Sequence, residues 1–334
     1  MRSIFLTAID IGSGSLKGMT AGKNLQTGEI DILATEQISC YGIRNGEIID
    51  AEQTAKGLEK LKEALEESAA AKIKEVIVNI GGPHLVSLHS RGVVSVSRAD
   101  KIVSKEDLHR VLKESETVNL KNNQEVLEIF PKEFSIDDEG DIKNPVGLKG
   151  SRLEVKSLLA CIFSPALDNL EKAMSLAGLD PIEIFITPLA LAEILLSEEQ
   201  KEGGVVVVDI GFSTTSLAVF EKSQLIDFFI FPLGSSHITN DLAIGLRIDI
   251  QTAEFLKKEF GTLKVYKKSG GKNKKREGDR IKLPEKDLTF SKKFLKKVIE
   301  ARVNEILSEI QKNLKKIVGP NQLPYGVVFT GGGS

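Results

Sequence analysis

The 334-residue chain has no tryptophan, three tyrosines, four histidines and two cysteines. With so few flat rings it has little on which to stack nucleobases, and a formal net charge of −2 lacks the basic excess of a nucleic-acid binder, so no nucleic acid is expected as a partner. Cys40 and Cys161 are too few for a disulfide scaffold or a zinc site, which points to a reducing cytoplasm. No apolar run approaches the length of a membrane-spanning helix. The apolar opening from Met1 to Leu6 is too short for a secretory signal, and Asp10 breaks it. The length still allows two domains or more, each with a sizeable core.

What the chain has instead is a repeat. Ala8-Ile9-Asp10-Ile11-Gly12-Ser13-Gly14-Ser15-Leu16-Lys17 is echoed by Val207-Val208-Asp209-Ile210-Gly211-Phe212-Ser213-Thr214-Thr215-Ser216. In each copy an apolar run ends in Asp-Ile-Gly, then small hydroxyl residues, then another apolar run, the pattern of a strand, a tight turn and a strand. Backbone N–H groups of such a small-residue loop can converge on an anion. An aspartate at the strand end suits Mg²⁺, which keeps most of its water and takes few carboxylates. Two such loops, one per half, could clamp a nucleotide polyphosphate from opposite sides. A single Asp-Ile-Gly is more often an ordinary hairpin; its repetition with the same flanks is what marks a site.

The first half predicts three strands (4–9, 16–21 and 30–38), a helix over 51–68 with Leu58, Leu61 and Leu65 on one face, and a buried strand over 75–80 stopped by Gly81-Gly82-Pro83. The pattern then changes. A strand (85–96), a helix (104–117) capped by Ser104 with Asp107 three residues on, and two strands (125–136 and 153–163) read as an inserted unit, with 137–148 as a solvated loop. Helix resumes over 164–179 with Ser164-Pro165 as cap and first turn, followed by a strand (182–186) and an apolar helix (188–196). The charged stretch 197–204 reads as a hinge between halves. The three-strand opening then repeats (205–208, 216–220, 224–232), and two helices follow (236–246 and 250–260). The basic stretch 262–286 reads as a solvated loop. A long amphipathic helix over 290–317 carries Phe294, Val298, Ile306, Ile310 and Leu314 on its core face. A last strand, 325–329, runs into Thr330-Gly331-Gly332-Gly333-Ser334, a close backbone approach that ordinarily opens a helix, so the chain reads as stopping early.

The paired loops, the helix-opening Pro188-Leu189-Ala190, the Ala253-Glu254-Phe255-Leu256-Lys257 helix and the final glycines together resemble the ATPase fold of actin and DnaK. The resemblance implies an α/β fold of two duplicated ribonuclease-H-like halves around a cleft for ATP and Mg²⁺. By it, Asp10 and Asp209 flank the metal through water. Gly12, Ser13, Gly14, Ser15 and Lys17 from one loop, and Gly211, Ser213, Thr214 and Thr215 from the other, hold the phosphates. Glu254 and Lys257 face ribose and adenine, and Gly331, Gly332 and Gly333 approach the adenosine.

Within that fold, Tyr41-Gly42-Ile43-Arg44-Asn45-Gly46-Glu47-Ile48-Ile49-Asp50 and the stretches 130–137 and 142–150 resemble the FtsA family of bacterial cell-division proteins, most specifically at Lys143-Asn144-Pro145-Val146-Gly147-Leu148. That resemblance covers nearly the whole chain. It implies subdomains 1A (1–82 and 163–200), an inserted SHS2-type 1C (83–162), 2A (201–257 and 317–334) and 2B (258–316). It also implies a protein that polymerises into an actin-like filament, links the FtsZ ring to the cytoplasmic membrane and recruits other divisome proteins through 1C. The FtsZ C-terminal tail would dock on 2B, where 299–307 is similar to the family's Glu-x-Arg-x-x-Glu-Leu helix. Arg302 and Glu305 carry that pattern, and Arg302 would pair with a carboxylate of the tail, with Lys296 or Lys297 adding attraction. The membrane would be reached through a C-terminal amphipathic helix absent from this sequence.

Some positions depart from the family's pattern. Phe212-Ser213 stands where the second loop usually has Gly-Gly, which bears on how closely backbone meets phosphate. Lys17 lies two residues beyond the usual phosphate lysine, in the actin spacing, with Ser15 at the usual place; two residues along a strand keep the same face. Thr187 occupies the water-orienting position, where relatives that hydrolyse ATP well carry Glu or Gln. Threonine is no general base at neutral pH, so turnover is expected to be slow, with ATP a conformational ligand. The alternatives are a PilM-like pilus-assembly protein with a short peptide partner, and an active actin-fold ATPase or kinase, which needs a further carboxylate in the cleft.

Overall fold

The structure, a computed structural model, describes residues 3–118, 120, 123–263, 280–283, 288–318 and 323–333. It opens with a meander: β1 (Ser3–Ile11), β2 (Leu16–Asn24) and β3 (Ile30–Ile38) pair antiparallel, with Ile9, Leu16 and Ala34 turned inward. A short hairpin of β4 (Ile43–Arg44) and β5 (Glu47–Ile48) turns at Asn45-Gly46, both at positive φ. The Asp50 carboxylate accepts the Gln53 N–H to start α1 (Ala51–Ala69), which buries Leu58, Leu61 and Leu65. β6 (Glu75–Ile80) then enters the sheet parallel to β1.

The next residues build a sheet of their own. β7 (Leu85–Ser95), α2 (Lys105–Glu116), β8 (Gln124–Ile136), β9 (Glu139–Ile142) and β10 (Arg152–Phe163) form an antiparallel sheet in the order β7-β10-β8-β9, with α2 packed on it. The Ser104–Asp107 capping box is present as expected. The stretch 137–148 is more than a loop: Asp137 and Asp138, both at positive φ, turn the chain so that β9 folds back on β8. Four residues are too few for an alternation to show in sequence.

α3 (Ser164–Leu176) returns to the first half, and β11 (Asp180–Ile186) joins β6 to complete the order β11-β6-β1-β2-β3. Ser164 is the first helical residue and not the cap; the cap is Phe163, without a side-chain bond, and Pro165 sets the first turn. α4 (Thr187–Leu195) leads toward the second half. The expected hinge is a short helix, α5 (Glu198–Gly203), fixed by a Ser197–Gln200 capping box and by buried Lys201, which pairs with Glu193 and Glu198. Charges that read as a solvated connector satisfy one another locally.

The meander then repeats as β12 (Val205–Ile210), β13 (Thr215–Glu221) and β14 (Gln224–Phe231), followed by α6 (Ser235–Leu246) and α7 (Ile250–Phe260). A two-stranded piece, β15 (Arg280–Leu283) and β16 (Leu288–Ser291), precedes α8 (Lys292–Ile317), and β17 (Val327–Thr330) closes the order β14-β13-β12-β17. Phe290, expected in the long helix, lies in β16. The buried stripe of α8 is Leu295, Ile299, Ile306 and Ile310, so its first turns are rotated by one residue from expectation, and Phe294 is exposed beside Gly245. Most of the basic stretch 262–286 lies outside the described residues.

One hydrophobic core runs from Val78 and Ile80 of the first sheet through Ala192 and Leu196 to Val205, Val207 and Phe228 of the second. The inserted sheet also meets the second half directly. Lys132 Nζ donates to the Ile226 carbonyl, Gln224 Nε2 donates to the Lys132 carbonyl (2.6 Å), and His89 Nε2 lies 3.7 Å from Asp227.

Candidate functional site

Asp10 and Asp209 sit at the ends of matching strands, and the turns behind them share one geometry. Gly12 N–H donates to the Ser15 carbonyl (3.2 Å) and Gly211 N–H to the Thr214 carbonyl (2.9 Å). Asp10 faces Lys17 across its hairpin, as Asp209 faces Ser216. The backbone is duplicated; the side chains are not.

In the first loop the aspartate is well served. Lys17 Nζ stands 3.3 Å from Asp10 Oδ2, and Asn79 Nδ2 donates to Oδ1 at 2.7 Å. Asn79 also takes the Ile11 N–H on its Oδ1 (2.6 Å) and reaches Thr187 Oγ1 (3.1 Å), which donates to the Ile80 carbonyl (3.0 Å). Ser13 Oγ accepts the Gly46 N–H (2.7 Å), so the β4–β5 hairpin braces this loop, and Gln37 Nε2 donates to Ser15 Oγ (3.2 Å). Asn79 and Gln37 escape sequence reasoning. Asn79 does leave a trace there, as an amide inside the apolar run Val76-Ile77-Val78-Asn79-Ile80, since a polar group in such a strand must find partners.

The second loop leaves its aspartate alone. No hydrogen bond from the described residues reaches the Asp209 carboxyl; burial and then the charge of Asp10 push its pKa up to about 6, against a partial pull from Lys17. Among the described residues the buried Ser213 and Ser216 hydroxyls find no partner. The Gly211 and Phe212 carbonyls accept the Ser235 (3.0 Å) and Ser236 (2.7 Å) N–H groups at the start of α6. A trans peptide sets N–H opposite C=O, so the N–H groups of Phe212 and Ser213 point away from α6. The Phe212 ring crosses to the first loop and lies against Gly14, where a β-carbon would stand 2.9 Å from the ring.

The residues expected near the nucleoside also converge. Thr239 Oγ1 donates to Glu254 Oε2 (2.5 Å), and Lys257 Nζ pairs with the same oxygen (2.7 Å) while donating to the Ser235 carbonyl (3.2 Å). Gly331 has φ of 94°, and a β-carbon there would come within 2.3 Å of Asp209 Oδ1, so only glycine closes on the aspartate this tightly. Gly333 N–H donates to the Ile210 carbonyl (2.9 Å). Two apposed carboxylates, one without a hydrogen-bond partner among the described residues, a Ser213 hydroxyl likewise unpartnered among them, and outward N–H groups form a donor set that fits a hydrated divalent cation with a polyanion.

Arg302 and Glu305 lie elsewhere, on α8. Arg302 Nε and an Nη donate to the Asp241 carboxylate of α6 (2.9 and 2.7 Å), and its other Nη pairs with Glu305 at 2.6 Å. The guanidinium fork expected to meet an incoming carboxylate is thus already closed on one within the chain, a partner that sequence spacing does not reveal. Lys296 pairs with Glu300 (3.3 Å), and Lys297 is exposed. Among the described residues no helix is long and apolar enough to cross a membrane.

Comparison with known proteins agrees with this geometry. Residues 82–160 match the model of the SHS2 domain inserted in FtsA, and 206–327 match that of cell division protein FtsA. The chain is 30% identical to FtsA of Bacillus subtilis over 97% of its own length and 72% of that protein, and 27% identical to FtsA of Escherichia coli over 98% and 78%. Among solved structures it is similar to a chain of the PilM–PilN type IV pilus biogenesis complex (TM-score 0.67, 17% identity, covering 98% of this chain and 82% of that one). It is also similar to MreB5 of Spiroplasma citri bound to ADP (TM-score 0.52, 12% identity, 98% and 85%). The two structures establish the actin-like fold; with the inserted SHS2 domain and the extent of the match to FtsA proteins, the chain belongs to the FtsA family of cell division proteins.

Proposed function

We propose that this chain binds ATP with Mg²⁺ between the Asp10 and Asp209 loops and uses it as a conformational ligand in an actin-like filament that links the FtsZ ring to the cytoplasmic face of the membrane at the division site. The observation that carries the nucleotide reading is the pair of facing loops in which Asp209, unpartnered, is pushed to about 6 by burial and by Asp10. Bound Mg²⁺ supplies charge neutralisation. Asp10, oriented by Asn79, and Asp209 hold it through water; Lys17, the first loop, Ser213 and the outward N–H groups of the second hold the phosphates, with Thr214 beside them, whereas Thr215, expected there, is fully buried and its hydroxyl donates to the Leu233 carbonyl (2.7 Å). Glu254, Lys257 and Gly331 to Gly333 take the nucleoside. The neighbour MreB5, bound to ADP, supports a nucleotide in this fold. The Thr187 hydroxyl donates to Ile80 and accepts from Asn79, which leaves it ill-suited to orient water, so hydrolysis is slow.

Family membership supports the cellular role. The FtsZ tail docks on 2B, where exposed Lys297 attracts it while Arg302 holds α8 to α6. The inserted sheet recruits later divisome proteins, and a C-terminal amphipathic helix outside this sequence supplies the membrane contact. The likeness to a PilM–PilN chain favours a second reading, a pilus-assembly role, on fold alone.

The test is thermal. ATP with Mg²⁺ should raise the melting temperature by mass action, by an amount equivalent to about 2.7 kcal/mol at a hundredfold excess over Kd, and Asp209→Ala should remove the rise. A melting curve unmoved by millimolar ATP overturns the nucleotide reading. Peptide titrations then separate the roles: capture of an FtsZ tail peptide supports division, and failure to bind it while binding a pilus peptide supports the second reading.

A further inference from the structure

We propose that Phe212 is a gate across the nucleotide cleft, an aromatic side chain that must leave the first loop before a polyphosphate can lie against it. The inference rests on the nucleotide reading of the cleft and adds a residue to which that reading gives no part. In the duplicated turn Phe212 is the counterpart of Ser13. Ser13 turns to its own half and takes the Gly46 N–H, whereas Phe212 reaches over to the other loop. A β-carbon on Gly14 would stand 2.9 Å from Phe212 Cγ, 3.1 Å from its Cβ and 3.2 Å from Cδ2, so the ring occupies the face that glycine leaves free.

The backbone beneath the ring has little room to retreat. The Gly211 and Phe212 carbonyls are bonded to the first N–H groups of α6, and Gly234 packs so closely beneath that a β-carbon there would lie 2.7 Å from the Phe212 carbonyl oxygen. Freeing the first loop is therefore a rotation of the Phe212 side chain and not a movement of its loop. Phe212 is 44% exposed, so the contact holds its side chain only in part. A phenyl ring donates no hydrogen bond to an anion. It covers Gly14, between the hydroxyls of Ser13 and Ser15, and its presence lowers affinity where a small side chain would not.

The experiment uses the chain as it stands. Mg²⁺-ATP is titrated by calorimetry into the unmodified protein and into Phe212→Ala, whose half-exposed side chain is not part of the core. The expected result is roughly tenfold tighter binding by the alanine variant, a shift of about 1.4 kcal/mol. A second variant makes the outcome independent of that one: the chain has no tryptophan, so Phe212→Trp places a single indole at the gate. Its emission should move toward that of a solvated indole on adding Mg²⁺-ATP. Equal or weaker binding by Phe212→Ala, with the unmodified protein still binding, overturns the gate and makes the ring a supporting contact. An emission spectrum unchanged at saturating nucleotide overturns it as well. If neither the unmodified protein nor Phe212→Ala binds, the nucleotide reading itself fails and the gate falls with it.

Discussion

In the first half the residue across the hairpin from Asp10 is Lys17, and Asn79 of β6, one step beyond the Ile9–Val78 pair, donates to it; in the second half the same places beside Asp209 hold Ser216 on β13 and Thr330 on β17. The strands, turns and registers agree, yet one carboxylate has a cation and an amide, and the other has neither among the described residues. A duplicated scaffold can therefore keep its backbone geometry in both copies and still place the cost of an unserved charge in one. That cost is what a bound cation would relieve, an instance of stability given up at a site of function.

The comparison is broken most severely at Gly331, the close approach peculiar to the second half. Gly331→Ala puts a β-carbon 2.3 Å from Asp209 Oδ1 at a φ of 94°. A loss of about 4 kcal/mol is expected in urea unfolding, from backbone strain and overpacking together. Next in size is Asp209→Asn, which should stabilise the protein. The native carboxyl titrates near 6 against an ordinary 3.8, so the folded state holds the proton more tightly. Stability is therefore lost as pH rises from about 4 through 6, and the full penalty, roughly 3 kcal/mol, stands above that range. The asparagine variant should exceed the unmodified protein by up to that amount at pH 7.5 and match it near pH 3.5; equal stabilities at both would mean Asp209 is not strained.

Asn79→Ala, in the first half, strips partners from Asp10, Ile11 N–H and Thr187 at once and should cost about 2 kcal/mol, opposite in sign to the Asp209 substitution. Thr330→Asn offers the second aspartate the amide that the first enjoys. A gain of about 1 kcal/mol at neutral pH, with a downward shift of the Asp209 titration followed by NMR, is expected. Lys17→Met should be smallest, within about 0.5 kcal/mol, because the pair is exposed, although Asp209 should titrate higher without the nearby cation.

Much of this was legible in the residues. The strand Glu75–Ile80 and the helix Ile250–Phe260 fall where their apolar periods and breakers put them, and the loop residues are legible because each loop is one contiguous run. The four-residue β9 is not, being shorter than any period, nor is α5, whose charges look like a linker until Lys201 is seen between Glu193 and Glu198. Side-chain partners are the least legible. Asn79 meets Asp10 across 69 residues and Arg302 meets Asp241 across 61, and nothing in local spacing joins them. Phe212 was visible as a departure from glycine, but its seat on Gly14 belongs to the tertiary fold.

The polar seam between the inserted sheet and β14 has a mechanical consequence. The two halves are joined at α4 and again at a second joint, where Gln224 donates to the Lys132 carbonyl and Lys132 Nζ to the Ile226 carbonyl across β8 and β14, so they do not turn on a single pivot. Any rotation that widens the cleft must appear as sliding at the second joint.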